Sequence, residues 1–364
     1  MKSSYIIFIS IFLFCKASTL RAQAVDTSDA NVKAVILANI KCDSADAHIK
    51  RKDPKGANKL YADAIKQYKL VIKANPNLFS AWYGLGRAQT KTKDYKEAVL
   101  SFDKALEADP TKTEAFRERG IAQEGLGKFD AAISDYNKAL EKNYEDALAH
   151  YSRGALKEKG KDIQGAMADY AAAVEVNPNF KEAYLKRGVI HHDKDKDYVL
   201  ALVDFDKYVQ LAPDDDQGYL WRGKTKYNGG DYKGAERDLS RFLDSDGENL
   251  EGLIFRGCNR INLRDYEGAV TDFDNALKID PKNAIAYMNR GTAKGAQKKY
   301  RSALEDLDMA VKLKFDYSKV YINRALVRYV SGDKKGACKD LEKADSLNDD
   351  KAGSLIDQYC RNMK

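Results

Sequence analysis

The sequence predicts a repeat protein whose units stack side by side as a solenoid, and three observations lead to this class. The stretch from Leu250 to Asn283 returns in altered form every 34 residues, with one slip of a single residue. Small residues recur at unit positions 8 and 20, and a large residue recurs at position 4. A fixed period of about 20–50 residues indicates units that bury their apolar faces on their neighbours.

Eight full units span residues 79–351, and they begin at Phe79, Thr113, Ala147, Lys181, Asp216, Leu250, Ala284 and Ser318. Position 20 is alanine in all eight, and position 8 is Gly86, Gly120, Gly154, Gly188, Gly223, Gly257, Gly291 and finally Ala325. Glycine inside a helix costs about 1 kcal/mol relative to alanine. We therefore infer that two helices approach closely in each unit and that the large residue at position 4 fills the remaining space.

The residues at unit positions 4, 8, 20, 24, 27 and 32 resemble the pattern of the tetratricopeptide repeat, here Leu253, Gly257, Ala269, Phe273, Ala276 and Pro281. This resemblance implies an all-α fold, a right-handed superhelical solenoid of about eight to nine helix-turn-helix repeats with a C-terminal capping helix. It also implies that the first helix of each repeat lines a concave groove.

Residues 25–78 precede the full repeats. Apolar residues at helical spacing predict an N-terminal helix within Asp29 to Lys41. A degenerate repeat follows from Ala45 to Leu78. Its first helix should be short, because Lys52 occupies position 8 and Pro54 follows closely.

Residues 352–364 follow the last repeat. Leu355, Ile356, Tyr359 and Cys360 fall on one helical face beside charged residues. This pattern is typical of the capping helix that closes the open end of a solenoid.

Residues 1–24 differ from the rest of the chain. Lys2 precedes an apolar run from Tyr5 to Cys15, and Ala22 to Ala24 supply the small-x-small pattern of a signal peptidase site. A membrane-spanning helix needs about 20 apolar residues, so a cleaved signal peptide is favoured over an uncleaved anchor. The sequence thus predicts an exported protein, periplasmic or secreted in a bacterial envelope, with no membrane insertion after cleavage.

Export would place Cys42, Cys258, Cys338 and Cys360 where disulfides can form. Cys338 lies in the second helix of the last repeat and Cys360 in the helix that follows, two elements that must pack together. Cys338 and Cys360 are therefore a candidate disulfide, and the other two cysteines are expected to be free.

The net charge is +7, and three of the positive charges belong to Lys2, Lys16 and Arg21 of the predicted signal peptide. This mild basicity does not predict nucleic-acid binding. The histidines lack zinc-ligand spacing, and the chain has neither a phosphate-binding glycine loop nor a nucleophile elbow. We therefore predict no catalytic residues, no enzyme activity, no cofactor and no metal.

A regular charge pattern runs through repeats 2 to 8. Position 7 is always arginine and position 23 always aspartate, as in Arg256 with Asp272 and Arg290 with Asp306. In an antiparallel helix pair, the position numbers of two facing residues add up to a nearly constant value. The arginine at position 7 and the aspartate at position 23 should therefore meet inside each repeat. We call this set the arginine–aspartate ladder: Arg119, Arg153, Arg187, Arg222, Arg256, Arg290 and Arg324 with Asp135, Asp169, Asp204, Asp238, Asp272, Asp306 and Asp340. The alternative is an arginine stripe that grips an acidic ligand.

The pattern falters in repeat 4. An extra residue lies in the segment from Asp193 to Tyr198, and bulky Tyr208 and Phe242 replace alanine at position 27 of repeats 4 and 5. We predict a change of curvature or a softer joint between about Asp193 and Glu251. The alternating aspartates of this segment lack the glycine and glutamate of a calcium loop, so a solvated turn is favoured.

The family resemblance makes positions 2, 5, 9 and 12 of the first helices the usual partner contacts. Position 5 forms a largely apolar stripe that we name as the candidate peptide-binding groove: Tyr83, Arg117, Tyr151, Leu185, Leu220, Ile254, Met288 and Ile322. An apolar floor with polar edges suits an extended peptide or a partner helix. The alternative is that position 5 only packs between adjacent first helices.

The leading functional hypothesis is an exported scaffold that binds a protein or peptide along this groove. A structural subunit of an envelope or secretion assembly, contacted through its convex face or its ends, is the alternative. The sequence leaves the partner and the oligomeric state open.

Overall fold

The computed structural model describes residues 29–313 and 317–361, so the predicted leader at residues 1–24 lies outside the described part. These residues form helices and turns without a strand. The helices are α1 Ala30–Lys50, α2 Pro54–Ala74, α3 Phe79–Lys91, α4 Tyr95–Ala108, α5 Thr113–Gly125, α6 Phe129–Lys142, α7 Ala147–Lys159, α8 Ile163–Val176, α9 Lys181–Ile190, α10 Tyr198–Leu211, α11 Asp216–Asn228, α12 Tyr232–Ser245, α13 Leu250–Asn262, α14 Tyr266–Ile279, α15 Ala284–Ala296, α16 Tyr300–Lys312, α17 Ser318–Val330, α18 Lys334–Ser346 and α19 Ala352–Tyr359.

Each predicted repeat is one pair of consecutive helices, from α3 and α4 in repeat 1 to α17 and α18 in repeat 8. Every first helix begins at the residue that the 34-residue period assigned to position 1. The prediction of an all-α chain of helix-turn-helix repeats is confirmed. The described residues divide into two compact units, one before and one after the boundary between Asp135 and Tyr136, each with its own apolar clusters.

The turn inside each repeat reverses the chain through one left-handed residue at position 15. Glycine occupies it in three repeats, as in Gly127 with φ 73°, and lysine or arginine occupies it in the others, as in Lys298 with φ 63°. An aspartate directly before most second helices then caps them, as in Asp265, whose side chain accepts from the Gly268 amide. Local residues therefore fix the reversal that brings the two helices together.

Position 8 lies where the two helices of a repeat are closest. A Cβ atom added to Gly257 would lie 2.7 Å from the Phe273 ring, and one added to Gly86 would lie 2.7 Å from the Phe102 ring. Both rings are fully buried. Glycine at position 8 thus makes room for the large residue at position 24, an aromatic ring in five repeats and leucine in three, which explains why a helix-weakening residue recurs at position 8.

The N-terminal segment differs from the prediction. The expected N-terminal helix and the first helix of the degenerate repeat are one continuous helix, α1, of 21 residues. Pro54 does not shorten it, because it occupies the first turn of α2, where the missing amide hydrogen costs nothing. The degenerate repeat therefore pairs two long helices.

The inserted residue of repeat 4 is accommodated without breaking the pair. Residues His191–Asp195 form one π-helical turn after α9, and Lys196 at φ 56° ends it. A π turn holds one residue more than an α turn, so the extra residue is absorbed before α10 begins. The change of curvature around this segment stays a prediction.

At the C-terminus, α19 packs on the apolar cluster of repeats 7 and 8 through Leu355, Ile356 and Tyr359. The sulfur atoms of Cys338 and Cys360 are bonded, with 5.8 Å between their Cα atoms, and join α18 to α19. Cys42 and Cys258 are free thiols, and burial raises the pKa of Cys258 to about 12, which keeps it protonated.

Among the described helices, none combines the length and the apolar character that crossing a bilayer requires.

Candidate interaction site

The arginine–aspartate ladder sits between the two helices of each repeat. In repeat 6, Arg256 Nη2 lies 2.7 Å from Asp272 Oδ1, and its Nε donates to the other oxygen at 3.1 Å. In repeat 7, the matching distances from Arg290 to Asp306 are 2.6 and 2.9 Å. The same two bonds form in all seven ladder repeats. Each arginine is therefore neutralised inside its own repeat, which argues against a stripe that grips an acidic ligand.

The remaining guanidinium nitrogen reaches into the preceding repeat, which sequence reasoning missed. Arg290 Nη1 lies 2.6 Å from Asp274 Oδ1 at position 25 of repeat 6. Six of the seven arginines make such a bond, to Asp103, Asn137, Asp206, Ser240, Asp274 and Asp308. For Arg187, position 25 of the preceding repeat is Ala171, which has no polar side chain, and Arg187 donates two side-chain hydrogen bonds to Asp204. The recurrence of polar residues at position 25 was the sequence signal that could have predicted this bond between repeats.

The side chains at position 5, which the sequence assigned to the candidate peptide-binding groove, are buried or half-buried. Leu220, Met288 and Ile322 are buried, which corrects the expectation that they face a partner. The others are half-buried: Tyr83, Arg117, Tyr151, Leu185 and Ile254. Tyr151, for example, packs 5.0 Å from the Phe180 ring, centroid to centroid. The three buried residues thus pack between helices, and partner binding at the other five stays a prediction.

An accessible apolar pocket lies instead beside this stripe, between the first helices of repeats 7 and 8. It has a volume of about 220 Å³ and is lined mainly by Gly295 and Ala296 of α15 and by Leu326, Val327 and Val330 of α17. Leu326 is 38% exposed and Val330 is 60% exposed. At one end, Asn323 Nδ2 donates to Thr292 Oγ1 at 2.9 Å, so the pocket has a polar edge.

A polar cluster occupies the same helix face in repeats 4 to 6. The buried Lys224 ammonium lies 3.6 Å from the centroid of the Trp221 ring and 2.6 Å from Glu251 Oε1. His192 is also buried, and its ring nitrogens contact Thr225 Oγ1 at 2.8 Å and Asn228 Nδ2 at 3.1 Å.

Thr225 uses its own hydroxyl hydrogen on the Trp221 carbonyl, so His192 Nδ1 donates to Thr225 and Nε2 accepts from Asn228. Burial lowers the pKa of His192, consistent with this neutral form. The cluster is satisfied internally and has the character of a structural network.

The comparisons with known proteins agree with this architecture. A family model described as tetratricopeptide repeat matches residues 42–112, 117–175 and 158–216, and a second, described as TPR repeat, matches residues 263–298. No curated protein matches the chain.

Several solved structures are similar. The hetero-tetramer Cut9–Hcn1 of the APC/C is 16% identical, with 91% of this chain and 63% of that chain covered and a TM-score of 0.51. PilF of Pseudomonas aeruginosa is 18% identical, with 57% and 94% covered and a TM-score of 0.49. YrrB, described as a TPR protein with an unusual peptide-binding site, is 24% identical, with 51% and 95% covered and a TM-score of 0.47. At these identities the likeness bears on the fold.

Paired helices repeated at a fixed period define a helical-repeat scaffold for protein–protein interaction. The chain belongs to the tetratricopeptide repeat family.

Proposed function

We propose that the protein is a non-enzymatic scaffold of the bacterial cell envelope that binds an extended peptide or a partner helix along its first-helix face. The observation that carries this proposal is the apolar pocket between α15 and α17. A pocket of about 220 Å³ has room for one apolar side chain of a bound protein segment.

The pocket also offers the mixed chemistry that such a segment needs. Leu326 and Val330 supply exposed apolar surface, and the Thr292 and Asn323 side chains supply polar groups at its edge for a peptide backbone. An apolar anchor beside hydrogen-bonding groups is typical of helix-in-groove and extended-peptide recognition.

Location in the envelope is part of the proposal. The signal-like residues 1–24 support export. The disulfide between Cys338 and Cys360 supports an oxidising compartment, because disulfides are rare in the reducing cytosol.

The test uses a photo-activated cross-linking amino acid at Ala296 in the full-length protein, in cells, followed by mass spectrometry. Val330→Asp should remove the cross-linked product, because a carboxylate would enter the apolar pocket. Val199→Asp is the matched control, since Val199 is 74% exposed on the second helix of repeat 4. Persistence of the product in Val330→Asp would contradict binding in this pocket.

A structural subunit contacted through its second helices is the second candidate. Val199, Leu200 and Val203 form an exposed aliphatic patch on α10. Under this reading Val199→Asp would disrupt the assembly and Val330→Asp would not, so the same pair of variants separates the two functions.

A further inference from the structure

Repeat 1 is the one full repeat that lacks the ladder. It has Leu85 at position 7 and Ser101 at position 23. In six of the other seven repeats, the arginine side chain bridges from the aspartate on its own second helix to position 25 on the second helix of the preceding repeat. Here the space between the second helices is a pocket of about 590 Å³ between α2 and α4.

The floor of this pocket is apolar and neutral. Leu85 is buried at its base, and Ile72 and Trp82 contribute partly buried apolar surface. Beneath them, the Ser101 hydroxyl donates to Gln89 Oε1 at 2.6 Å, and both side chains are buried. Ser101 stands where the ladder repeats have the aspartate that receives the guanidinium, so the base of this pocket lacks that carboxylate.

The rim of the pocket combines apolar surface with charges. Leu100 on α4 is 51% exposed at its edge. Asp103 and Lys104 are held by Arg119 and Glu107 at 2.6 Å each. In the part of the chain that the structure describes, Lys69 on α2 and Glu97 on α4 have no ion-pair partner. The rim thus offers one cation on one side and one anion on the other.

We propose that this pocket is a docking site for a second protein segment, which inserts one large apolar side chain flanked by an acidic residue toward Lys69 and a basic residue toward Glu97. The apolar floor and the charged rim have the anatomy of a hot-spot pocket in a protein interface. The site opens between the second helices α2 and α4, with its floor on α3, and does not depend on binding in the pocket between α15 and α17.

The other repeats show how to close the pocket. Lys69→Asp, Leu85→Arg and Ser101→Asp together would install the ladder in repeat 1, with the first substitution supplying the position-25 acceptor. Four interfaces of this chain already carry arginine, its aspartate and a preceding aspartate at position 25. The triple variant should therefore fold and fill the pocket with its own arginine.

The experiment selects a displayed library of short random peptides on the full-length protein, with the triple variant as soluble competitor. The expected peptides share one large apolar residue between an acidic and a basic residue. They should bind the triple variant about thirtyfold more weakly, the loss typical of a hot-spot side chain.

A second variant keeps the test decisive if the triple variant does not fold. Leu100→Asp changes only the rim and should weaken the same peptides, whereas Ser134→Asp, at the equivalent exposed position of repeat 2, should not. The proposal is overturned if no peptide distinguishes the proteins, if the selected peptides centre on arginine, or if Leu100→Asp and Ser134→Asp behave alike.

Discussion

Repeat 6, residues 250–283, and repeat 1, residues 79–112, build the same helix pair with different chemistry at its centre. In repeat 6, Asp272 is 1% exposed and accepts hydrogen bonds from Arg256 and from Arg260, the latter at 2.9 Å. In repeat 1, a neutral hydrogen bond between Ser101 and Gln89 occupies the equivalent place. A buried ion pair is therefore not required to form the pair of helices.

What the two repeats share is their packing. Gly86 and Gly257 each leave room for a buried phenylalanine of the second helix, Phe102 or Phe273. The small residue and the ring thus determine the helix pair. In six of its seven repeats the ladder adds a bond to the repeat before it. Where the ladder is missing, in repeat 1, the second helices leave a pocket.

The largest expected difference is the response to losing the residue at position 23. Asp272→Ala leaves the half-buried Arg256 without a carboxylate and removes one of the two carboxylates that Arg260 contacts, so it should cost about 3–5 kcal/mol in the free energy of unfolding. Ser101→Ala removes one neutral hydrogen bond and should cost about 1 kcal/mol. Urea denaturation of both variants measures the difference. Equal losses would mean that the ion pair adds nothing to the interface.

The next expected difference is in the loss of stability at low pH. Burial opposes the charge on Asp169 in repeat 3, but hydrogen bonds from His150, Arg153 and Lys157 outweigh it and hold its pKa well below the ordinary 3.8. Since the folded pKa is lower than the unfolded one, this carboxylate stabilises the fold above the unfolded value, and the stabilisation is lost as pH falls through the folded value.

We therefore expect Asp169→Asn to lower stability at neutral pH and to reduce the further loss of stability below about pH 4. Ser101→Ala, which removes no titrating group, should leave that acid loss unchanged. Denaturant titrations at several pH values measure both effects. An identical acid loss in wild type and Asp169→Asn would contradict the assignment.

Smaller changes in stability are expected at position 8, where repeats 1 and 6 both have glycine packed against a phenylalanine ring. Gly86→Ala and Gly257→Ala would each place a methyl group about 2.7 Å from a buried ring. Overpacking costs about 1–3 kcal/mol and the gain in helix propensity returns about 1 kcal/mol, so a net loss of about 1 kcal/mol is expected in both repeats.

Thermal unfolding measures these losses. Gly353→Ala in α19 is the control, because the nearest atom to its added Cβ lies 3.9 Å away. This variant should be neutral or slightly stabilising. A large loss in repeat 6 with none in repeat 1 would show that the ladder, rather than the shared packing, makes the interface rigid.

Contacts within a repeat could largely be predicted from the sequence, whereas contacts between repeats could not. Arg256 and Asp272 could be paired because the register of two antiparallel helices follows from spacing alone. The third bond, such as Arg290 to Asp274, depends on how one repeat stacks on the next, which no single repeat encodes. Burial of Leu220 at position 5 has the same origin, since neighbouring helices cover it.

The length of the first helix was also difficult to predict from the sequence. Pro54 predicted a short helix, but its effect depends on whether it falls inside a helix or in the first turn of the next one. The structure places it in the first turn of α2, so α1 runs unbroken to Lys50. The pocket beside Leu85 was also invisible in the sequence, because a missing arginine marks a gap only once its neighbours are in place.

The smallest expected effect tests whether the turn is independent of the interface. Lys93 in repeat 1 and Lys298 in repeat 7 each have φ 63°. This left-handed conformation costs a non-glycine residue about 1–2 kcal/mol, while glycine adds about 0.5–1 kcal/mol of entropy loss on folding. Lys93→Gly and Lys298→Gly should therefore each stabilise the protein by about 0.5 kcal/mol or slightly more.

Differential denaturation of the two variants against wild type measures this gain, and Gly127→Ala, at φ 73°, should show the opposite sign. Among the described residues, no hydrogen bond or ion pair joins Lys93 to Ser101 or Gln89, or Lys298 to the ladder, so the gain should be equal in repeats 1 and 7. A gain in only one repeat would mean that the chemistry between the helices sets the strain of the turn that joins them.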